Sequence, residues 1–247
     1  MEKIVEIGML LDGDADYYDE ILTKNGLKMV FTCETHDIYY TKFSYDELSQ
    51  MTENQIKNSC IRIRDCKGLS NGEIGVTDIL SGKNSNSEKD LKQFIQFENI
   101  SLYIDEINKL EDEKEKVKLK NSFDKKYGKS YNAQKDTLPI QKEKLKEIIE
   151  ILEDLGFYLI FDTFKVDYQY SNEQMKSRVQ LQEIDNIGLL LYYDNPDYYQ
   201  MPEPLQRKSL IDEVNGYGFN FSYDEMGIDK LRTLLLGYTA ESYNQNG

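Results

Sequence analysis

Basic residues are scarce in this chain relative to acidic ones. It has 30 Lys and Arg against 45 Asp and Glu, which gives a formal net charge of −15 at pH 7. Non-specific binding to DNA or RNA depends on a basic surface that displaces counterions, so this balance argues against it. A small anionic ligand is not excluded, because a closed site can be locally basic within an acidic protein.

The residue types on which common catalytic and zinc motifs depend are also few. His36 is the single histidine. It precedes a strand and no G-x-S-x-G string accompanies it, so a structural or exposed role is expected rather than a catalytic triad. Cys33, Cys60 and Cys66 have no C-x-x-C spacing, which predicts reduced, buried thiols rather than disulfides or a zinc site. The sequence also lacks the motifs typical of P-loops, dinucleotide folds, zincins and EF-hands.

Long apolar runs are missing too. No run approaches the ~20 residues that span a bilayer, so no membrane partner is expected. The N-terminal sequence MEKIVEIGML contains no long apolar signal core, which indicates a cytoplasmic protein. The 247 residues are 39% hydrophobic and 30% charged, a balance typical of a globular chain. One large domain or two small ones would fit this length.

The segment from Lys142 to Tyr170 is typical of an amphipathic helix, a glycine stop at Gly156 and a following strand. The same plan occurs 130 residues earlier, around Gly26. Ile21, Leu22, Gly26, Leu27, Val30, Phe31, Asp37 and Tyr40 match, without a gap, Ile151, Leu152, Gly156, Phe157, Ile160, Phe161, Asp167 and Tyr170. Two related halves, each with a helix and a strand, are therefore predicted. The alternative is a coincidence between two generic helix–glycine–strand units.

Several predicted strands have one polar and one apolar face. In SCIRIRDC, Arg62 and Arg64 alternate with two isoleucines, and Arg178 lies on the polar face of a later strand. The alternative for the first pair is an ordinary amphipathic strand with solvated arginines. If the polar faces turn inward, the strands form a closed antiparallel barrel with helices on its outside, which is an α+β fold. The alternative fold is an open sheet with its polar face in solvent.

Residues 105–138 are dense in charge and predict an exposed, partly helical insertion.

The order and spacing of several strings resemble the CYTH, or triphosphate tunnel, superfamily. They are VEIG at 5–8, HDIYYT at 36–41, IRIRDCKG at 61–68, a helix–L-G-F–strand unit at 152–168, and VQLQEIDNIGLLLYYD at 179–194. The superfamily contains class IV adenylyl cyclases, thiamine triphosphatases, inorganic triphosphatases and RNA 5′-triphosphatases. The resemblance implies a single domain over residues 1–247 built on an eight-stranded antiparallel tunnel. Basic residues of such tunnels hold a triphosphate, and inward carboxylates hold Mg²⁺ or Mn²⁺.

The resemblance also implies roles for individual residues. Those that would bind the substrate phosphates are Arg62, Arg64, Lys165 and Arg178. Glu6 and Asp194 would hold the metal, and Glu6 and Lys165 would be the catalytic residues. The sequence departs from the family pattern at four positions where charge is expected, namely Gly8, Leu10, Gln182 and Tyr192. The basic half of the expected site is therefore present, whereas the acidic half is mostly missing.

Three functions fit this sequence. The first is a divergent Mg²⁺- or Mn²⁺-dependent triphosphate phosphohydrolase or adenylyl cyclase. The second is a catalytically inactive tunnel that binds a nucleotide or polyphosphate. The third is an interaction domain whose acidic, tyrosine-rich segment at 192–204 meets a basic partner. A small anionic ligand, either a triphosphate or a nucleotide, is the expected partner of the first two.

Overall fold

An antiparallel sheet with helices packed on it forms an α+β fold in the computed structural model, which describes residues 7–70, 93–122, 136–171 and 178–219. The strands are β1 Ile7–Leu11, β2 Lys28–Thr41, β3 Cys60–Ser70, β4 Gln93–Glu98, β5 Thr137–Ile140, β6 Tyr158–Ser171, β7 Arg178–Ile184 and β8 Gly188–Asp194. The helices are α1 Ala15–Lys24, α2 Tyr45–Ser49, α3 Glu53–Ser59, α4 Ile100–Lys109, α5 Glu113–Ser122, α6 Leu145–Asp154 and α7 Glu203–Gly216. None of these helices is long and apolar enough to cross a membrane.

The eight strands form one sheet in the order β1-β8-β7-β6-β2-β3-β4-β5. All pairs are antiparallel, which confirms the predicted α+β class and strand orientation. Among the described residues, β1 pairs only with β8 and β5 only with β4, so hydrogen bonds do not close the sheet into a barrel. The predicted closure is therefore not confirmed.

The two halves of the sheet confirm the predicted internal repeat. The units α1–β2 and α6–β6 share the 130-residue offset, and Gly26 and Gly156 end their helices with φ angles of 82° and 84°. Such a left-handed backbone favours glycine. β2 and β6 pair with each other at the centre of the sheet, in register around the Thr35–Lys165 pair. The repeat offset makes these two residues equivalent, so an approximate two-fold axis passes through that pair.

One face of the sheet is apolar and is covered by helices. Leu22 of α1 and Leu210 of α7 pack with Leu191 of β8 in one core cluster. Residues of α4 and α6, with Leu152 among them, pack with Ile63 of β3 in a second cluster. The strand alternation predicted these buried faces, since period-two apolar residues fall on one side of a strand.

The opposite face of the sheet is polar, and much of it is nevertheless buried. Asp37, Thr163 and Gln182 are at most 5% exposed although they lie on this face. Part of the cover comes from α2 and α3, because Leu48 and Ile56 pack against aromatic side chains at one end of the polar face. A capping box at Ser44 begins α2. The FSYDE string around Ser44 recurs at 221–225, outside the described residues.

The charge-dense stretch at about 105–138 is partly helical, as predicted. It contains the end of α4, the whole of α5 and the start of β5. The expectation that this stretch is exposed is wrong in part. Ile107 and Leu138 are buried in the second core cluster, so both ends of the stretch belong to the packed fold. β4 ends at Glu98 just before this stretch, and α4 begins at Ile100.

Two of the three cysteines are joined to each other. Cys33 and Cys66 form a disulfide between β2 and β3, with Cα atoms 6.6 Å apart, whereas Cys60 is a free, buried thiol. The expectation of reduced thiols is therefore wrong for the first pair. Cys66 lies opposite Thr35 in the register, so the two cysteines are diagonal neighbours on one face. That proximity depends on strand register, which spacing along the chain does not reveal.

Candidate anion-binding site

Three strands bring the cationic side chains of the polar face together. β2 lies between β3 and β6, and Asp37 stands opposite Arg64 on one side and Thr163 on the other. Arg62 faces the same way as Arg64 because the two are separated by one residue on a strand. Lys165 follows Thr163 by two positions and also shares this face. Three of the four predicted cations therefore meet around the Asp37 carboxylate.

Arg64 holds Asp37 through two parallel hydrogen bonds. Its Nε donates to Oδ1 and its Nη2 donates to Oδ2, each at 2.7 Å. The Lys165 ammonium lies 3.3 Å from Oδ2, and Nη1 of Arg62 lies 3.7 Å from the same oxygen. Since the Asp37 side chain is only 2% exposed, these contacts act with little screening by water. The carboxylate thereby fixes the positions of three cations at once.

A second carboxylate completes the cluster. Nε of Arg62 donates to Oε2 of Glu98 at 2.9 Å, and Nη2 of Arg62 donates to the same oxygen. Nη1 of Arg62 donates to the Tyr39 hydroxyl at 3.4 Å. Arg62, Arg64 and Lys165 thus face Asp37 and Glu98, and the charge of Asp167 also acts on Lys165.

The protonation equilibria follow from this burial and pairing. Burial alone would raise the pKa of Asp37, but the hydrogen bonds from Arg64 and the charges of Lys165 and Arg62 hold that pKa well below its ordinary value. Burial lowers the pKa of the Lys165 ammonium, and the Asp37 charge opposes that shift. Burial also raises the pKa of Tyr39 to about 12. Asp37 is consequently ionised at neutral pH, and Tyr39 is a neutral hydroxyl.

The cluster borders a cavity of about 180 Å³. Its lining is Asp37, Tyr39, Glu53, Lys57, Cys60, Arg62, Glu98, Asn99, Thr163, Lys165, Gln182 and Ile184. Both halves of the repeat contribute, because Arg62 comes from the strand beside β2 and Gln182 from the strand beside β6. Glu53 and Lys57 of α3 add opposite charges at one rim. A small polar or charged group could therefore enter beside Arg62 and Lys165.

The structure does not place every predicted site residue, since Glu6 is outside the described residues. Arg178 stands opposite Asp194 at the far end of β7, and its side chain is likewise not described. Asp194 is 5% exposed and lies on β8, with β7 and β6 between it and Asp37. The structure thus brings together three of the predicted side chains and leaves the predicted metal pair untested.

Two acidic members of the cluster, Asp37 and Glu98, were missed by the sequence analysis as site residues. Asp37 carried one signal, since it lies two positions after Thr35 and two before Tyr39 on a strand that alternates polar and apolar side chains. Glu98 carried none, because the segment around it does not align with the tunnel pattern. Its role depends on the pairing of β4 with β3, where it stands opposite Arg62.

The expected divalent metal does not fit the two carboxylates of the cluster, Asp37 and Glu98. Both oxygens of Asp37 accept hydrogen bonds from Arg64, and Glu98 is paired with Arg62. Across residues 7–70, 93–122, 136–171 and 178–219, no three His, Cys, Asp or Glu side chains are grouped so that they could hold a metal ion. A carboxylate that is saturated by guanidinium donors offers a hard cation little coordination.

His36 lies on the other face of the sheet, away from this cluster. Its ring stacks on Phe164 with centroids 4.0 Å apart, and Nε2 is 2.8 Å from Oδ2 of Asp162. These contacts fix the position of the ring on this face, and they are of the structural kind that was one of the two expectations for His36.

Comparison with known proteins gives structural neighbours only. No protein-family profile and no curated protein sequence matches the chain. The PH1819 protein of Pyrococcus horikoshii is similar at 13% identity and a TM-score of 0.46, over 95% of this chain and 100% of that one. A Vibrio parahaemolyticus protein described as a candidate adenylate cyclase is similar at 9% identity and a TM-score of 0.40, over 92% and 94% of the two chains. A Hippeastrum protein described as a candidate adenylyl cyclase with a dominant triphosphatase activity is similar at 11% identity and a TM-score of 0.42, over 93% and 95%.

Structures described as adenylate cyclases are thus among those to which this chain is similar. Similarities at TM-scores of 0.40–0.46 and identities of 9–13% assign no function to this chain. The evidence for a function comes from the contacts around Asp37.

Proposed function

We propose that this protein binds a phosphate-bearing anion, a triphosphate or a nucleotide, at Arg62, Arg64 and Lys165. The observation that supports this most is the convergence of three cations from two separate strands within 3.7 Å of one buried carboxylate. Assembling like charges at this distance is unfavourable unless an anion compensates them. Asp37 and Glu98 pair with the arginines, and the charges of Asp37 and Asp167 act on Lys165, so a ligand oxyanion would compete with these carboxylates for the same donors.

The chemistry of the donors suits phosphate. A guanidinium has more N–H donors than one carboxylate can accept from, and its planar fork matches phosphate oxygens as well as carboxylate oxygens. Lys165 adds a compact ammonium with several donors. The proposal also includes closure of the sheet into a tunnel and a contribution of Arg178, which shares the polar face of β7. In this proposal the cluster binds the anion without a metal of its own, because Asp37 and Glu98 are paired with Arg64 and Arg62.

Replacing Arg62 or Arg64 with glutamine is expected to weaken phosphate binding by about 10- to 100-fold. A hydrogen bond to a charged group contributes about 1.5–3 kcal/mol, and glutamine keeps a donor while removing the charge. Titration calorimetry of the full chain with inorganic tripolyphosphate and with ATP, each in excess EDTA, measures the dissociation constants. Lys67→Gln is the matched control, because Lys67 lies on β3 but is exposed on the opposite face.

Two outcomes would count against this function. Equal losses in Arg62→Gln and Lys67→Gln would mean that only the overall charge matters, and binding that requires Mg²⁺ would contradict the metal-independent site. Phosphate release from tripolyphosphate or ATP with Mg²⁺ or Mn²⁺, compared between the wild type and Glu6→Ala, distinguishes the phosphohydrolase from the binding protein. Turnover that disappears in Glu6→Ala would support the enzyme instead.

Replacing Asp37 with asparagine is expected to tighten tripolyphosphate binding by about ten-fold. Asp37 occupies Arg64 and approaches Lys165, so it competes with any ligand oxyanion for the same donors. The amide removes one negative charge from a buried position and keeps the shape of the side chain, and ~1.4 kcal/mol of relieved repulsion corresponds to this factor. The same calorimetric titration tests it. Weaker binding by a folded Asp37→Asn protein would show that Asp37 chiefly positions the cations.

A further inference from the structure

The helix-covered face of the sheet has an exposed strip at its centre. Leu22 of α1 and Leu152 of α6 are buried in the two core clusters, one in each half of the repeat. On the same face, Tyr168 packs against the first cluster and Ile38 against the second. Phe164 lies between these two contacts, and 53% of it is exposed. In the part of the chain that the structure describes, the strip between the two halves is therefore open to solvent.

An aromatic pair forms the floor of this strip. His36 and Phe164 are paired neighbours on β2 and β6, and their rings stack with centroids 4.0 Å apart. Nε2 of His36 lies 2.8 Å from Oδ2 of Asp162, which holds the imidazole in place. One exposed phenylalanine is ordinary on a protein surface. Here, however, the ring lies in a groove of about 550 Å³, which is the size of a binding site.

Carboxylates surround the aromatic pair. Those that line the groove are Glu34, Asp65, Glu183 and Asp185. Two lysines also line it. Lys67 lies 3.3 Å from Glu34, whereas the Lys165 ammonium lies 3.3 Å from Asp37 on the polar face of the sheet. The lining of the groove therefore has more negative than positive charge.

This charge selects among the possible occupants of the groove. The chain carries a net charge of −15, so a second copy would be repelled as it approached. Nucleic acids and anionic lipid surfaces would be repelled for the same reason. A basic protein segment would be attracted by the carboxylates. Arginine suits the floor of the groove better than lysine does, because its planar guanidinium stacks on aromatic rings.

We propose that the groove around His36 and Phe164 docks an arginine-containing basic segment of a partner protein. A guanidinium would lie against the exposed part of the Phe164 ring, and neighbouring basic side chains would reach Glu183 and Asp185. Both carboxylates are close to the ring along the sheet. The backbone N–H of Asp185 donates to the Phe164 carbonyl at 3.0 Å, and Glu183 stands opposite Val166. The groove lies on the other face of the sheet from the anion-binding cluster, so this interaction is independent of the proposed function.

Fluorescence polarisation of labelled peptides with the full chain tests the role of the aromatic ring. The probes are an octapeptide in which arginine alternates with serine and its lysine counterpart of equal charge. The arginine peptide is expected to bind the wild type about three-fold more tightly than the lysine peptide. Phe164→Leu keeps an apolar side chain but removes the ring, so it is expected to abolish this difference. Phe43→Leu is the matched control, because Phe43 is 39% exposed and does not line the groove.

A second pair of variants separates the groove from the overall charge. Glu183→Gln/Asp185→Asn is expected to weaken the arginine peptide by about ten-fold. The control Glu113→Gln/Glu150→Gln removes the same charge from side chains that are 79% and 62% exposed on α5 and α6, and a change below about two-fold is expected. Circular dichroism melting shows whether each variant is folded.

Three results would overturn the inference. Equal weakening by the two double variants would show that only the net charge attracts the peptide. An arginine preference that persists in Phe164→Leu would show that the ring takes no part. Absence of saturable binding of either peptide to the wild type would remove the docking site, while the anion-binding cluster on the other face would be unaffected.

Discussion

Replacing Arg64 with alanine is expected to lower the free energy of unfolding by about 3 kcal/mol. Arg64 donates to both oxygens of Asp37 at 2.7 Å, and that side chain is only 2% exposed. A buried charge that loses its hydrogen-bonded partner typically costs ~3–5 kcal/mol. Lys165 at 3.3 Å and Arg62 at 3.7 Å would still face the carboxylate, so we expect the lower end of that range.

Urea denaturation followed by far-UV circular dichroism measures this loss, since the chain has no tryptophan to report by fluorescence. Arg64→Lys keeps the charge but loses the bidentate fork, and an intermediate loss of about 1–2 kcal/mol is expected. The double variant Asp37→Asn/Arg64→Gln replaces the ion pair with a neutral hydrogen-bonded pair and should recover most of the stability. Lys67→Ala is the control, because the Lys67 side chain is exposed and lies on the other face of β3. An Arg64→Ala loss no larger than that of Lys67→Ala would contradict the assignment.

The parts of this fold that were predictable from sequence are those that depend on local periodicity. The helix around Leu152, the left-handed Gly156 and the strand behind it follow from neighbouring residues, and so does the earlier unit around Gly26. The face shared by Arg62 and Arg64 follows from the period of a strand. None of these inferences requires knowledge of which strands are neighbours.

The parts that escaped prediction depend on strand pairing. Asp37 belongs to the site because β2 lies beside both β3 and β6, and Glu98 belongs because β4 lies beside β3. The Cys33–Cys66 disulfide likewise depends on register. Strand pairing is fixed by the packing of the whole sheet, because a register shift of one residue would turn every side chain of a strand to the other face. The sequence of a single strand therefore does not identify the strand with which it pairs. The arginines could therefore be placed on a face, whereas the carboxylates that pair with them could not be identified.

The two halves of the fold differ in their polar faces, but each half has its own hydrophobic core. Leu22 and Leu152 occupy equivalent positions of the repeat, and each is completely buried. Leu22 packs in the cluster beneath α1 and α7, whereas Leu152 packs in the cluster beneath α4 and α6. The central strands β2 and β6 connect the two clusters within one sheet. Equivalent truncations therefore probe two distinct packing environments.

Leu22→Ala and Leu152→Ala are each expected to lower the free energy of unfolding by about 2–5 kcal/mol. Each substitution removes buried methyl groups and leaves a cavity in a packed cluster. The losses in the double variant are expected to add within about 0.5 kcal/mol, because the two leucines belong to different clusters. Urea denaturation of the single and double variants measures the coupling. Leu205→Ala is the matched control, since Leu205 is 54% exposed and the same truncation there leaves no internal cavity.

A coupling energy above ~1 kcal/mol between the two positions would contradict the picture of two separate cores. It would mean that the pairing of β2 with β6 transmits the loss of packing from one half to the other. Additive losses together with a single unfolding transition would show that the halves are energetically separable at the level of side-chain packing and still unfold together. We expect additive losses with a single transition because β2 and β6 form a continuous hydrogen-bonded ladder. If either half lost its central strand, the strand edge of the other half would be exposed.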